Sequence, residues 1–152
     1  MIRIAVYRTV VFKGVFQMSY KIEAIEGIAK VYGAKLRDAG LKRTHHLLEM
    51  AATRKGRKEL AEKSGIDESL LLKWTNMADL MRIKGVGEEY SELLEAAGVD
   101  TVKELKMRKP ENLLKAMVDA NAARKMVRQL PNLKRVEAWV TEAKELPAVV
   151  SY

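Results

Sequence analysis

Ile83-Lys84-Gly85-Val86-Gly87, running on through Glu88-Glu89-Tyr90-Ser91-Glu92-Leu93-Leu94-Glu95-Ala96-Ala97-Gly98, is the stretch that decides the fold. It has an earlier copy. Ile25, Gly27, Ile28, Tyr32, Leu36, Ala39 and Gly40 recur as Ile83, Gly85, Val86, Tyr90, Leu94, Ala97 and Gly98, each pair 58 positions apart. After Gly40 the register is expected to slip by one, so that Thr44 and Leu48 match Thr101 and Leu105. Recurrence of both glycines together with the apolar positions between them marks a duplicated supersecondary unit.

Each copy has a readable logic. A short helix ends at Ile25 or Ile83, and a glycine two residues on supplies the tight backbone that stops it. A second helix follows, carrying Ile28, Tyr32, Leu36 and Ala39, or Val86, Tyr90, Leu94 and Ala97, on one face. Gly40 and Gly98 close it, and Thr101-Val102-Lys103-Glu104 reads as a capping box opening the next helix.

This pattern resembles the helix-hairpin-helix motif. Ile83-Lys84-Gly85-Val86-Gly87 matches it fully, whereas Ile25-Glu26-Gly27-Ile28-Ala29 has alanine in place of the second glycine. Over roughly residues 19–152 the chain also resembles a bacterial family of tandem hairpin domains with no assigned function. The resemblance implies an all-α protein of two hairpin units, residues 18–78 and 79–152, whose additional helices share one core. Helix-hairpin-helix units in DNA-binding proteins hold phosphate through main-chain N–H groups of the turn and the positive end of the following helix. Such contacts position the backbone and carry little sequence information.

Two further segments fit this frame. Residues 56–74 place Leu60, Ala61, Gly65, Ile66, Leu71 and Trp74 as a helix pair, with Asp67 as N-cap. The pair could read a major groove, but its second helix begins Asp67-Glu68-Ser69-Leu70, acidic and then apolar, which favours core packing. Pro110 suits the start of another helix, and Asn132 caps a last one whose Leu133, Val136, Trp139, Val140, Ala143 and Leu146 form a stripe ended by Pro147. Trp74 and Trp139 read as core anchors. Residues 1–17 are richer in β-branched and aromatic side chains and read as one short strand or a loosely held tail. Met18-Ser19-Tyr20 also resembles a natural start.

Nine glycines and three prolines among 152 residues argue against an all-β protein or a disordered one. No apolar run approaches the length of a membrane span. With no cysteine there is no disulfide, thiolate metal site or cysteine nucleophile, which fits a reducing cytoplasm. The net charge of +8 draws polyanions, or simply maintains solubility. Chemistry is not evident: His45 and His46 are adjacent and expected at the surface, and no nucleophile elbow or phosphate-binding loop occurs. The expectation is therefore a protein that is not an enzyme and needs no metal or cofactor.

The charge map divides the two copies. The second has the better glycines, with Arg82 and Lys84 before the turn, but residues 85–101 hold Glu88, Glu89, Glu92, Glu95 and Asp100 and no basic residue. The first has the poorer turn but carries Lys30, Lys35 and Arg37. Other cations cluster as Lys42, Arg43, Arg54, Lys55, Arg57 and Lys58, and as Arg124, Lys125, Arg128, Lys134 and Arg135. The leading expectation is sequence-independent contact with DNA or RNA backbone. Its candidate residues are Gly27, Ile28, Ala29, Lys30, Lys35, Arg54, Lys55, Arg57, Lys58, Lys84, Gly85, Val86, Gly87, Arg124, Lys125 and Arg128. The alternative is a protein-interaction or adaptor module in which the hairpins are architectural.

Overall fold

The computed structural model describes residues 7–152. A β-hairpin opens the described chain: β1 (Tyr7–Phe12) pairs antiparallel with β2 (Val15–Tyr20). Lys13 and Gly14 join them with φ of 55° and 76°, the pair of left-handed residues that a two-residue hairpin loop requires. The expectation of an all-α chain is corrected here, since the apolar, β-branched N-terminal segment forms two strands. The part of that segment at residues 1–6 lies outside the described residues.

After a 3-10 turn (Ile22–Ala24) come α1 (Lys30–Asp38), α2 (Thr44–Met50), α3 (Arg54–Ser64) and α4 (Glu68–Leu80). A second series follows as α5 (Glu88–Ala96), α6 (Val102–Leu105), α7 (Pro110–Ala123) and α8 (Leu133–Glu145). The sequence signals for helix starts lie where expected. Asp67 Oδ1 accepts the Ser69 N–H at 2.7 Å, Asn132 Oδ1 accepts the Arg135 N–H at 2.8 Å, and Glu104 accepts the Thr101 N–H at 3.1 Å. Pro110 stands in the first turn of α7.

The duplication extends beyond the turns. The Leu41 N–H donates to the Leu36 carbonyl at 2.8 Å, and 58 positions on Val99 donates to Leu94 at 2.9 Å. Thr44 and Val102 then open α2 and α6, and Leu47 and Leu105 are both fully buried. The expected one-residue slip is therefore absent, and Leu105 corresponds to Leu47, not to Leu48. Sequence identity had favoured pairing the two threonines, whereas the backbone keeps the 58-residue register. Trp74 is the seventh residue of α4 and Trp139 the seventh of α8, so the final helices of the two series correspond as well.

Among the described residues, buried apolar side chains group in two clusters, not in the single shared core expected. Ile22, Ile25, Leu36, Leu41, Leu47, Leu71, Trp74 and Met81 belong to the first. Leu80, Ile83, Leu93, Leu94, Leu105, Leu113, Val136 and Trp139 belong to the second. The expected boundaries at 17/18 and 78/79 both fall inside elements, β2 and α4, because each element serves both halves. Phe12 and Met18 pack on the first cluster and Val15 on the second. The far end of the chain returns as a strap: Val149 and Val150 pack on the first cluster, and the Ser151 N–H donates to the Ala52 carbonyl at 2.8 Å.

A buried polar network joins the hairpin, α4 and the strap. Arg82 donates from Nε to Gln17 Oε1 at 2.6 Å, and from Nη1 to Asp79 Oδ1 at 2.8 Å and the Pro147 carbonyl at 3.0 Å. Asp79 also accepts the Val102 N–H at 2.8 Å. Burial pushes the Asp79 carboxyl up, against the opposing pull of the Arg82 guanidinium. Among the described residues, no helix is long and apolar enough to cross a membrane.

Candidate functional site

The two glycine turns are built alike. The Ile28 N–H donates to the Ile25 carbonyl at 3.1 Å, and the Val86 N–H to Ile83 at 3.1 Å. Gly27 and Gly85 hold φ of 90° and 87°, each over the edge of a tryptophan. Tyr32 meets Trp74 with ring centroids 5.1 Å apart, and Tyr90 meets Trp139 at 5.2 Å. Expecting Ile28 and Val86 to offer main-chain N–H groups to a ligand is thus corrected: both side chains are buried and both N–H groups close the turn.

Beyond this shared frame the two turns differ in charge. Ala29, at the N-cap of α1, makes no side-chain cap, and no acid stands in the first turn. The leading N–H groups of α1, from Lys30 onward, have no carbonyl four residues back to bond. Gly27, Ala29, Lys30 and Val31 are all exposed there. At the second turn, α5 begins with Glu88 and Glu89. The Lys84 N–H is also already taken by the Glu142 carboxylate of α8, at 3.2 and 3.3 Å. Met77 holds the matching place in α4 and brings no charge, since each lies three residues beyond its helix's tryptophan. Nothing near Glu142 in the sequence marks it as a partner of this turn. The one signal for it was that pairing of Glu142 with Met77.

The second turn nonetheless receives a cation from a distance. The Arg135 guanidinium stacks 5.0 Å from the Tyr90 ring centre and 5.6 Å from that of Trp139. One of its nitrogens lies 3.7 Å from the point that a Cβ on Gly85 would occupy. Lys35 stands over Tyr32 at 5.8 Å in the first unit. Gly87 serves as the N-cap of α5.

The basic clusters are partly dispersed. Arg54, Lys55 and Lys58 lie exposed on α3. Arg57 does not: it is 4% exposed, and it donates to the Ala51 and Ala52 carbonyls at 3.0 Å and to Ser151 at 2.7 Å. The expectation that Arg57 contacts phosphate is corrected, because three carbonyls of the chain already hold its guanidinium. Arg124 pairs with Glu92 on acidic α5, while Lys125 and Arg128 are exposed. The units also meet acid to acid. Burial, a hydrogen bond to Glu26 and the charges of Glu26, Glu89 and Glu92 push the Glu88 carboxyl up to about 7.

His45 and His46, expected at the surface, are half-buried with ring centres 4.2 Å apart. Ser19 Oγ lies 2.6 Å from His45 Nδ1, and His46 Nδ1 accepts the N–H groups of Lys42 and Arg43 at 3.0 Å each. Among the described residues, no group of three or more histidine, aspartate or glutamate side chains is placed to hold a metal ion.

Fold and site together define a mainly helical protein of duplicated units, each with a glycine turn backed by a tyrosine–tryptophan pair. The chain belongs to the family described as a domain of unknown function (DUF4332), whose model matches residues 26–146. No curated protein and no solved structure matches it.

Proposed function

We propose that this protein binds the backbone of DNA or RNA without sequence preference and without catalysis, in the cytoplasm, and that the first unit alone supplies the anion-holding turn. The proposal takes the turns as helix-hairpin-helix turns, on their sequence pattern. The observation that carries it is the contrast between α1, which opens with neither an acid nor a cap and bears Lys30, and α5, which opens with Glu88 and Glu89 beside the Glu142 carboxylate. A phosphate at α1 meets the leading N–H groups and the positive end of the helix dipole, and its nearby acids are Glu26 of the turn and the Glu88 that Glu26 meets. A phosphate at α5 meets three carboxylates. Lys35, and the exposed Arg54, Lys55 and Lys58 of α3, which packs on α1, extend the positive field around the first turn.

Fluorescence anisotropy with labelled single-stranded and duplex DNA and RNA, across a salt series, tests this reading. Binding should weaken linearly on a log–log salt plot, and Lys30→Glu should lower it far more than Lys84→Glu. Failure to bind even at low salt would overturn it. One observation favours a protein partner in that event: Val11 and Phe16, a cross-strand pair, are 61% and 75% exposed on the hairpin.

A further inference from the structure

The β-hairpin and the start of α2 enclose a group of cations that the glycine turns do not use. Ser19 is its hub. Its Oγ meets His45 Nδ1 at 2.6 Å, and its carbonyl accepts from Arg43 Nη2 at 2.8 Å. Its cross-strand partner is Arg8, so Arg8 leaves the sheet on the face that carries the Ser19 side chain. Lys42 precedes Arg43, and Lys21 bridges to Arg43 through the backbone. These cations act on one another. Burial lowers both imidazoles below the ordinary histidine range; His46 lowers His45 further, Arg8 and Arg43 lower both and Lys42 lowers His46, with Glu49 of α2 as the opposing charge. Arg8 likewise presses on Arg43. The other neighbours of α2, α3 and α4, meet it on the side of Leu47 and Leu48, in the apolar core.

The two imidazoles differ in what a proton does to them. His46 Nδ1 accepts two main-chain N–H groups, so protonating it would break both. His45 Nδ1 faces a hydroxyl, which can donate to the neutral ring or accept from the charged one. A proton entering this patch therefore settles on His45.

We propose that Arg8 and Arg43 beside His45, with Lys42 beside the adjacent His46, form a second phosphate-binding surface whose hold on a nucleic-acid backbone tightens when His45 is protonated. This rests on the nucleic-acid reading above and adds to it a separate contact and a dependence on pH. A patch of like charges is relieved by a polyanion, and the polyanion in turn favours the charged imidazole, so binding takes up a proton.

The experiment is anisotropy with rhodamine-labelled single-stranded and duplex DNA and RNA at pH 5.5 and pH 8, over a salt series. Thermal melts followed by circular dichroism check that each variant is folded. The native protein should bind more tightly at pH 5.5. His45→Gln should shrink the ratio of the pH 5.5 affinity to the pH 8 affinity, leaving only the gain that protonation of Glu88 supplies. The exposed-residue variant Arg8→Ala/Lys42→Ala should weaken binding at both pH values, by about tenfold for each charge-assisted hydrogen bond to phosphate that it removes. It should also reduce the salt slope by about 0.9 per phosphate released from duplex DNA. An acid gain undiminished in His45→Gln would overturn the proposal. So would unchanged binding by Arg8→Ala/Lys42→Ala where Lys30→Glu does weaken it, an outcome that leaves the first-turn reading intact. No binding by the native protein at either pH would overturn both.

Discussion

The indole nitrogen of Trp139 stands 3.6 Å from the point that a Cβ on Gly85 would occupy, and Trp74 stands 3.4 Å from the same point on Gly27. Each tryptophan comes from the last helix of its unit and closes against the turn that opened the unit. The turns are thus held by contacts made more than 40 residues along the chain, and their shape belongs to the folded unit as a whole.

The backbone makes the glycines unequal. At φ near +90° an L side chain is strained, whereas the tryptophan edge would meet an added Cβ only at ordinary van der Waals distance. Gly27→Ala and Gly85→Ala should each cost about 1–2 kcal/mol. Gly87 has φ of −101° and open space where its Cβ would lie, so the entropy gain of Gly87→Ala and the loss of a glycine N-cap should largely offset, leaving stability within about 0.5 kcal/mol of the native protein. Urea denaturation of the three variants tests the order. Equal destabilisation at all three would show that the left-handed backbone at Gly27 and Gly85 is not what makes these glycines necessary.

Arg82 is fully buried and its carboxylate partner Asp79 is buried with it, so their pairing offsets a large desolvation cost. Arg82→Met should leave Asp79 with only the Val102 N–H and destabilise the fold by about 3–5 kcal/mol. Arg37→Met removes a pair with Glu23 that is bidentate but solvent-exposed, and should cost under about 1 kcal/mol. Comparable destabilisation for the two pairs, measured in urea, would contradict this account of the buried network.

Much of this architecture is legible in the sequence. The glycine and apolar spacing gives the duplication, and Asp67, Asn132, Thr101 and Pro110 give helix starts, because each of these signals acts within a few residues. What was not legible depends on partners far along the chain. Arg57 looks identical to Arg54 and Lys58 in sequence, and only the returning strap at Ser151 distinguishes it. The main-chain N–H of Lys84 looks free for a phosphate until Glu142 arrives 58 residues later. The β-hairpin was half-seen, since the apolar pattern gave strand character while the partner strand and its anchor, Gln17 on Arg82, are tertiary.

If Glu142 closes the second turn, neutralising it should open that turn to anions. Glu142→Gln keeps an oxygen that can accept the Lys84 N–H but removes the charge. Nucleic-acid affinity at low salt should then rise several-fold, and the salt slope should steepen. Anisotropy on the same labelled DNA and RNA checks this. Unchanged affinity would mean that Glu88 and Glu89 alone keep phosphate away.

Glu88 links stability to pH. Its folded carboxyl titrates near 7, above the ordinary value of 4.5, so between these limits the folded state binds more protons than the unfolded one. The contribution to stability is fully present at the acid end and is lost as pH rises through 7. The two imidazoles act with opposite sign, since their lowered values make the unfolded chain the better proton binder below the ordinary histidine range. Glu88→Gln should therefore flatten the decline above pH 5 and leave the histidine-linked loss at acid pH in place. Urea midpoints for both proteins between pH 4.5 and 8 provide the comparison, and parallel curves would remove Glu88 from the account.

Arg57 separates binding from folding within the α3 cluster. Its guanidinium donates to the Ala51, Ala52 and Ser151 carbonyls and so ties the chain end to the α2–α3 corner. Arg57→Met keeps much of the bulk but leaves those carbonyls without their charged donor, a loss of about 2–3 kcal/mol. The strap at residues 147–152 should then exchange its amide hydrogens faster than in the native protein. Arg54→Ala/Lys55→Ala/Lys58→Ala should do the reverse, lowering nucleic-acid affinity and salt slope while leaving the melting temperature nearly unchanged. A variant in which all four residues are changed would confound the two effects, so the triple and single variants have to be measured apart. If Arg57→Met instead lowered affinity with stability intact, the guanidinium would have to leave its three carbonyls to meet the ligand. The strap would then be a movable part of the binding surface and not a fixed clasp.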